Sequence, residues 1–247
     1  MSATLVIQSH REPLPFDWLR ICLDSVESWA RQRHFDYRFV GDELFDLVEA
    51  DLLHKTRGQI VIATDLARLR LLQRQLAQGY DRVVWCDADF LIFDPGAFVL
   101  PQDDFAFGRE VWVQKDERGR LRVYPKPHNA CMMFRRGNGC LDFYADTAAR
   151  LLRLNRGGMP PQFIGPKLLG ALHNVARFPL IESAGMLSPL VERDILAGGG
   201  AALALFLQES RLAPTGVNLS ASLTEAEGFG DGEMQSLIDI LMTTGLG

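Results

Sequence analysis

The sequence predicts an α/β fold built on a mixed, mainly parallel sheet. Two observations carry this. Short apolar runs alternate with longer helical patterns through the first hundred residues, which is how strand-helix-strand units read. Of 247 residues, 47% are hydrophobic and 23% charged, enough to build a sizeable core. Residues 4–9 are an apolar run suited to a buried strand, with Gln8, Ser9 and the following His10 at its end. Residues 17–31 repeat apolar side chains near helical spacing at Trp18, Ile21, Cys22, Val26 and Trp29. Residues 36–40 alternate and stop at Gly41, as a second short strand would. Residues 59–78 form a long helical pattern, with Gly79 placed to end it. Residues 83–86 are then the third strand.

The second half changes character. Residues 105–114 and 121–124 read as strands around the hairpin signal Asp116-Glu-Arg-Gly119. Residues 129–135 are another apolar run, and 140–153 a helix. Residues 160–166, with three prolines, are a loop before a short helix at 167–173. Gly198-Gly-Gly200 reads as a hinge or the frame of a mobile segment. The acidic stretch 224–233 should be exposed, and 234–242 is a closing amphipathic helix. No internal repeat or linker divides the chain, so 1–247 is expected to be one Rossmann-like domain with halves at 1–100 and 101–247.

Composition excludes some functions. Net charge is -5, so no basic surface offers itself to nucleic acid. No apolar run is long enough to span a bilayer, and the N-terminus lacks a basic leader. The four cysteines (Cys22, Cys86, Cys131, Cys140) have no C-x-x-C spacing and sit in apolar patterns. Reduced, buried thiols in a cytoplasmic protein are the expectation.

The chemistry concentrates at Val83-Val-Trp-Cys-Asp-Ala-Asp-Phe-Leu-Ile-Phe93, where Asp87 and Asp89 sit between two apolar runs. Acids beside so much apolar surface need a compensating charge. In an extended chain, residues i and i+2 point the same way, so both carboxylates would face one side. A hard divalent cation, Mn2+ or Mg2+, is the simplest partner, and it commonly brings phosphate oxygens with it. One helix earlier, Asp65 and Arg68 share a face at i and i+3. They are either a surface ion pair or, if buried, a phosphate- or ribose-holding pair. In open α/β sheets ligands gather at the carboxyl ends of the strands, which brings Gln8, Ser9 and His10 to the same place.

The pattern Ala63-Thr-Asp-Leu-Ala-Arg68, then Gly79-Tyr80, then Trp85-Cys-Asp-Ala-Asp89 resembles the DxD-containing sugar-binding region of glycosyltransferases with the A-type fold. Such families include the yeast outer-chain mannosyltransferases and the clostridial glucosylating toxins. The close match covers about residues 60–95. Looser similarity continues through Asn129–Gly137 and at Gly165-Pro166. Residues 78–81 read Gln-Gly-Tyr-Asp, where the family often has Gly-Gly-x-Tyr.

The resemblance implies the A-type glycosyltransferase fold, a nucleoside-diphosphate sugar as donor, a saccharide or other glycan as acceptor, and retention of anomeric configuration. By family habit the pathway would be bacterial polysaccharide or glycoconjugate synthesis. Residues 1–100 would bind the nucleotide-sugar, and 101–247 would supply the acceptor side. Asp89 would be the main metal ligand. Asp87 would touch ribose or sugar, or reach the metal through water. Arg68 and Asp65 would hold the sugar or diphosphate, and Gln8 and Ser9 the base. Asn218 is the candidate late metal ligand. His128 is either an acceptor contact, a further ligand or a strand-end residue. Lys167 either reaches a diphosphate or is solvated, and Arg109 and Glu110 either flank the acceptor or pair together. Trp85 is expected in the core. The alternatives are a nucleotidyltransferase, although the loop after the first strand has no glycine, and a non-catalytic sugar-nucleotide binder.

Overall fold

The computed structural model describes residues 3–246. The chain opens with β1 (Thr4–Ser9), α1 (Trp18–Gln32) and β2 (Asp36–Val40). A 3-10 helix (Asp42–Leu47), α2 (Ala50–Thr56) and α3 (Ile60–Ala77) follow, then β3 (Arg82–Cys86). Gly79 has φ +115° and lets the chain turn out of α3, as its position predicts. A hairpin of β5 (Phe105–Lys115) and β6 (Leu121–Arg135) comes after the three-residue strand β4 (Phe90–Ile92). Then come α4 (Gly139–Leu154), α5 (Pro166–Ala176), β7 (Leu180–Ile181) and β8 (Ala184–Met186). The chain finishes with α6 (Pro189–Leu196), α7 (Ala201–Glu209), β9 (Gly216–Asn218), α8 (Ala221–Ala226) and α9 (Asp231–Thr244).

The main sheet has the order β2-β1-β3-β6-β5-β7. β1 pairs parallel with β2 and β3, and β5 with β7; only β6 runs against its neighbours. The sheet is therefore mixed and mainly parallel, as the sequence predicts. Strand side chains alternate faces, and the two faces have separate cores. Leu5, Ile7, Val83 and Trp85 meet α3 and α4 on one side; Val6, Val84 and Cys86 meet Val26, Trp29 and Ala30 of α1 on the other. A third core joins Trp18, Leu19 and Cys22 of α1 to Val111 and Val113 of β5 and to α6, α7 and α9. A small second sheet, β4-β9-β8, ties the segment after β3 to the C-terminal part of the chain.

Several expectations need correction. β6 is one strand through 121–135, although Pro125 and Pro127 break its pattern in sequence. Its register with β5 shifts between Phe107 and Gly108. Gly198–Gly200 is not a loose hinge: Asp194 Oδ2 accepts from Ala202 N (2.7 Å) and Leu203 N (3.0 Å) and closes the turn between α6 and α7. In the stretch 224–233, which the sequence predicts to be exposed, Thr224 and Phe229 are buried. Cys22, Cys86 and Cys131 are free and buried, and Cys140 is free and half-buried. Among the described residues no helix is long and apolar enough to cross a membrane.

Candidate functional site

α3 is buried around most of its circumference, including Asp65, Arg68 and Gln75. The Asp65–Arg68 pair is therefore interior. Arg68 Nη2 lies 2.9 Å from Asp65 Oδ1, and its Nη1 donates to Asp87 Oδ1 (2.9 Å) and to the Asn129 carbonyl (3.0 Å). The guanidinium also lies over the Trp85 ring, 5.2 Å from its centroid. Burial opposes the Arg68 charge, but Asp87 and Asp65 outweigh it, and its pKa rises above the ordinary value. Asn129 Nδ2 donates to Asp65 Oδ1 (2.8 Å). Burial raises the Asp65 pKa to about 6 although Arg68 works against it. Gly165 packs directly on this carboxylate: a Cβ there would stand 2.6 Å from Asp65 Oδ2. That close approach is the physical reason for glycine before Pro166.

Asp87 and Asp89 do not lie on an extended strand. β3 ends at Cys86, and the chain turns at once, with Phe90 N donating to the Asp87 carbonyl (3.0 Å). The turn still presents both acids to the same space. Asp87 Oδ1 accepts from Arg68 and from Trp85 Nε1 (2.6 Å), so the core tryptophan also positions the acid. Among the described residues nothing hydrogen-bonds to Asp87 Oδ2, and the side chain is 27% exposed. Asp89 Oδ1 accepts from Asn218 Nδ2 (2.6 Å), and Oδ2 from Ala221 N (2.9 Å). Burial first, then the charge of Asp87, pushes the Asp89 pKa up to about 6.

Two cavities meet at this turn. The first, about 660 Å³, is lined by the strand ends Ser9, His10 and Gly41, by Asp42, and by apolar residues such as Phe16 and Phe45. The second, about 550 Å³, lies towards the β5–β6 hairpin and includes Asp65, Asn129, Glu110, Lys126 and Asn218. Arg68, Asp87, Asp89, Val61 and Ser222 line both. The crevice stands where the chain leaves β1 for β2 on one side and β3 on the other, the place open α/β sheets offer a ligand.

Other candidates fall elsewhere. Gln8 is 0% exposed and has no surface for a ligand. It donates to the Asp87 carbonyl (3.0 Å) and accepts from Tyr37 Oη (3.1 Å), bracing the acidic turn from beneath. The expected base contact thus remains with Ser9 alone. His128 is also fully buried. Its Nδ1 accepts from Ala130 N and its Nε2 donates to the Ala184 carbonyl, both 3.1 Å, which leaves neither nitrogen for a metal or an acceptor. Gly108 makes room for that ring, since a Cβ there would stand 2.1 Å from Nε2. Arg109 and Glu110 do not pair together: they point to opposite faces of β5, towards Glu182 (3.4 Å) and Lys126 (3.1 Å). Lys167 is exposed and lines neither cavity. Two groups near Asp89 carried no sequence signal of their own, the Ala221 amide and Glu192, and Asn129 entered only through the looser similarity at 129–137. Glu192 is buried on α6 with neither carboxylate oxygen hydrogen-bonded among the described residues.

No protein-family model matches this chain, and no curated protein matches it in sequence. Solved structures with a similar chain course include the following three. A glycosyltransferase involved in glycosylation of the major capsid of PBCV-1 is 11% identical over 96% of this chain and 99% of that one, with a TM-score of 0.48. The WbbM bifunctional glycosyltransferase is 13% identical over 96% of this chain and 49% of that one, with a TM-score of 0.47. The galactosyltransferase LgtC, in complex with donor and acceptor sugar analogs, is 12% identical over 98% and 97%, with a TM-score of 0.44. The roles of residues in this chain rest on its own geometry.

Proposed function

We propose that this protein is a metal-dependent glycosyltransferase that moves a sugar from a nucleoside-diphosphate sugar to a glycan hydroxyl. One observation carries the proposal: an acidic turn with unbalanced charge stands at the junction of two cavities. Asp65, Asp87 and Asp89 bring three negative charges, and Arg68 returns one. A divalent cation, Mn2+ or Mg2+, fits the remaining two. Asp87 Oδ2 and the second lone pairs of the Asp89 oxygens are the donors this chain offers. Among the described residues there is no cluster of three or more His, Cys, Asp or Glu side chains suited to a metal. Diphosphate oxygens and water would complete the coordination, as magnesium sites on nucleotides commonly require. When bound, the cation supplies positive charge to the departing diphosphate.

The residues then divide the work. The first cavity offers apolar walls at Phe16 and Phe45 for a nucleobase and polar groups at Ser9 and Asp42 for ribose. Asp42 joins Ser9 here in place of Gln8. Arg68, locked between Asp65, Asp87 and the Asn129 carbonyl, holds the acidic turn at a fixed distance from α3. Asn218 orients Asp89 through its amide, while its own oxygen accepts from Ser220 N (2.9 Å) and Ser220 Oγ (3.3 Å) and would have to give up one of them to meet a cation. The second cavity receives the acceptor. The motif resemblance favours retention of anomeric configuration.

Incubation with a panel of sugar nucleotides, with and without Mn2+, tests this. One donor is expected to raise the thermal midpoint by roughly 5–10 °C at saturation, only with metal, and to release nucleoside diphosphate slowly. Release of pyrophosphate from nucleoside triphosphates would instead indicate nucleotidyl transfer. No thermal shift with any donor, metal present or absent, would overturn the proposal.

A further inference from the structure

The β5–β6 hairpin has two unlike faces. Val111 and Val113, with Leu121 and Val123, pack into the third core beside α6, α7 and α9. Alternation sends their even-numbered neighbours to the opposite face. Register places Glu110 opposite Lys126, Trp112 opposite Tyr124 and Gln114 opposite Arg122. Glu110, Trp112, Gln114, Tyr124 and Lys126 all line the second cavity, next to Asp87 and Asp89.

Stability does not account for this face. Glu110 is 3% exposed yet sits on a strand whose other side already anchors the hairpin. Its only partner among the described residues is Lys126 Nζ, at 3.1 Å. Burial drives its pKa up to about 7 against the pull of Lys126. Replacing such a pair by apolar residues is commonly neutral or stabilising. The two aromatics are also unspent. Among the described residues neither ring stacks on another aromatic ring, and Tyr124 is 46% exposed. Trp112 donates only to Gln114 Oε1 (3.1 Å), along the same strand.

We propose that this face is a saccharide subsite, in which Trp112 and Tyr124 form the platform for a pyranose ring and Glu110 and Lys126 take its hydroxyls. A pyranose presents a C–H face that suits an aromatic surface and an edge of hydroxyls that suits a carboxylate and an ammonium. Glu110 and Lys126 neutralise each other, so this face offers no net charge to an ionic ligand, and the ligand it suits is a neutral glycan. It rests on the sugar-transfer reading for its meaning as the acceptor subsite, and names the acceptor class. Saccharide binding itself is independent of donor chemistry.

Saturation-transfer NMR with neutral disaccharides (lactose, cellobiose, maltose and chitobiose) on the full chain tests it. At least one should receive saturation from the wild-type protein. Trp112→Ala and Tyr124→Ala should each weaken that binding by roughly tenfold. Trp112→Phe should retain most of it, which separates loss of a platform from loss of fold, and unchanged thermal midpoints serve as the second control. Equal binding by wild type, W112A and Y124A would overturn the subsite. So would absence of binding by every disaccharide, with and without a donor and Mn2+. The donor-induced thermal shift of the wild type is measured alongside. Its absence, with disaccharide binding intact, would count against the sugar-transfer reading alone.

Discussion

Asp87 and Asp89 stand two residues apart, yet different regions of the molecule hold them. Asp87 belongs to the N-terminal layer: Arg68 of α3 and Trp85 of β3 fix its Oδ1, and a full positive charge faces it. Asp89 belongs to the C-terminal layer, held by Asn218 of β9 and the Ala221 amide of α8. Neither of those donors is charged. Nearby Glu192 adds no charge to this side at neutral pH, since burial, then Asp89, raises its pKa to about 9. Asp87 shares one cation, Arg68, with Asp65; Asp89 has no cationic partner among the described residues. Of the two neighbouring acids only Asp87 faces a cationic side chain, so the cation proposed above would gain most at Asp89.

The largest effect should come from removing the compensation. Arg68→Ala leaves Asp65 and Asp87 without their cation, and loss of one partner from a buried ionic cluster costs about 3–5 kcal/mol. Urea unfolding would measure it; a loss below about 1 kcal/mol would mean that the two layers are not electrostatically different.

Asp89→Asn probes the uncompensated side. It should lower metal-promoted donor turnover by about a hundredfold, or about 2.7 kcal/mol of transition-state stabilisation. It should also abolish the Mn2+-dependent part of the donor thermal shift while the protein stays folded. Turnover retained within about twofold would place the cation elsewhere.

Glu192→Gln sharpens the comparison through pH. The Glu192 pKa is raised from 4.5 to about 9 in the folded protein. The folded state therefore keeps a proton that the unfolded state has lost. The stability this contributes is complete below about pH 4.5 and is lost as pH rises through about 9. The wild type should lose stability relative to Glu192→Gln over that window, by at most about 1.4 kcal/mol per pH unit. Parallel pH–stability curves for the two proteins would show that Glu192 ionises normally.

Much of the donor side could be read from sequence because its signals are local. Asp65 and Arg68 sit one helical turn apart, and Asp87 and Asp89 interrupt an apolar run. The succession of elements along the chain was readable for β1, α1, β2, α3 and β3, where periodicity is unbroken over five or more residues. Their extended geometry was not. The chain turns at Asp87, and a bracing Gln8 beneath the turn resembles a ligand residue when only its place at a strand end is known. The C-terminal side failed for a different reason. β8 and β9 are three residues each, too short to show a period. Pro125 and Pro127 concealed the continuity of β6 and, with it, the register that sets Trp112 opposite Tyr124. Partners that act through backbone atoms, such as the Ala221 amide, have no side-chain signature at all.

The small sheet β4-β9-β8 has a consequence for when the site can exist. The hydrogen bonds from Asn218 and Ala221 to Asp89 close spans of 129 and 132 residues. Closing so long a loop is entropically costly, and contacts of that range form late in folding. Asp87 can take its place once α3 and β3 have docked. Asp89 cannot until the chain has returned through β9 and α8, so a nascent chain carries half a site until those elements arrive. Partial opening of that C-terminal return would release Asp89 and leave Asp87 in place, and competence would vanish well before the sheet came apart.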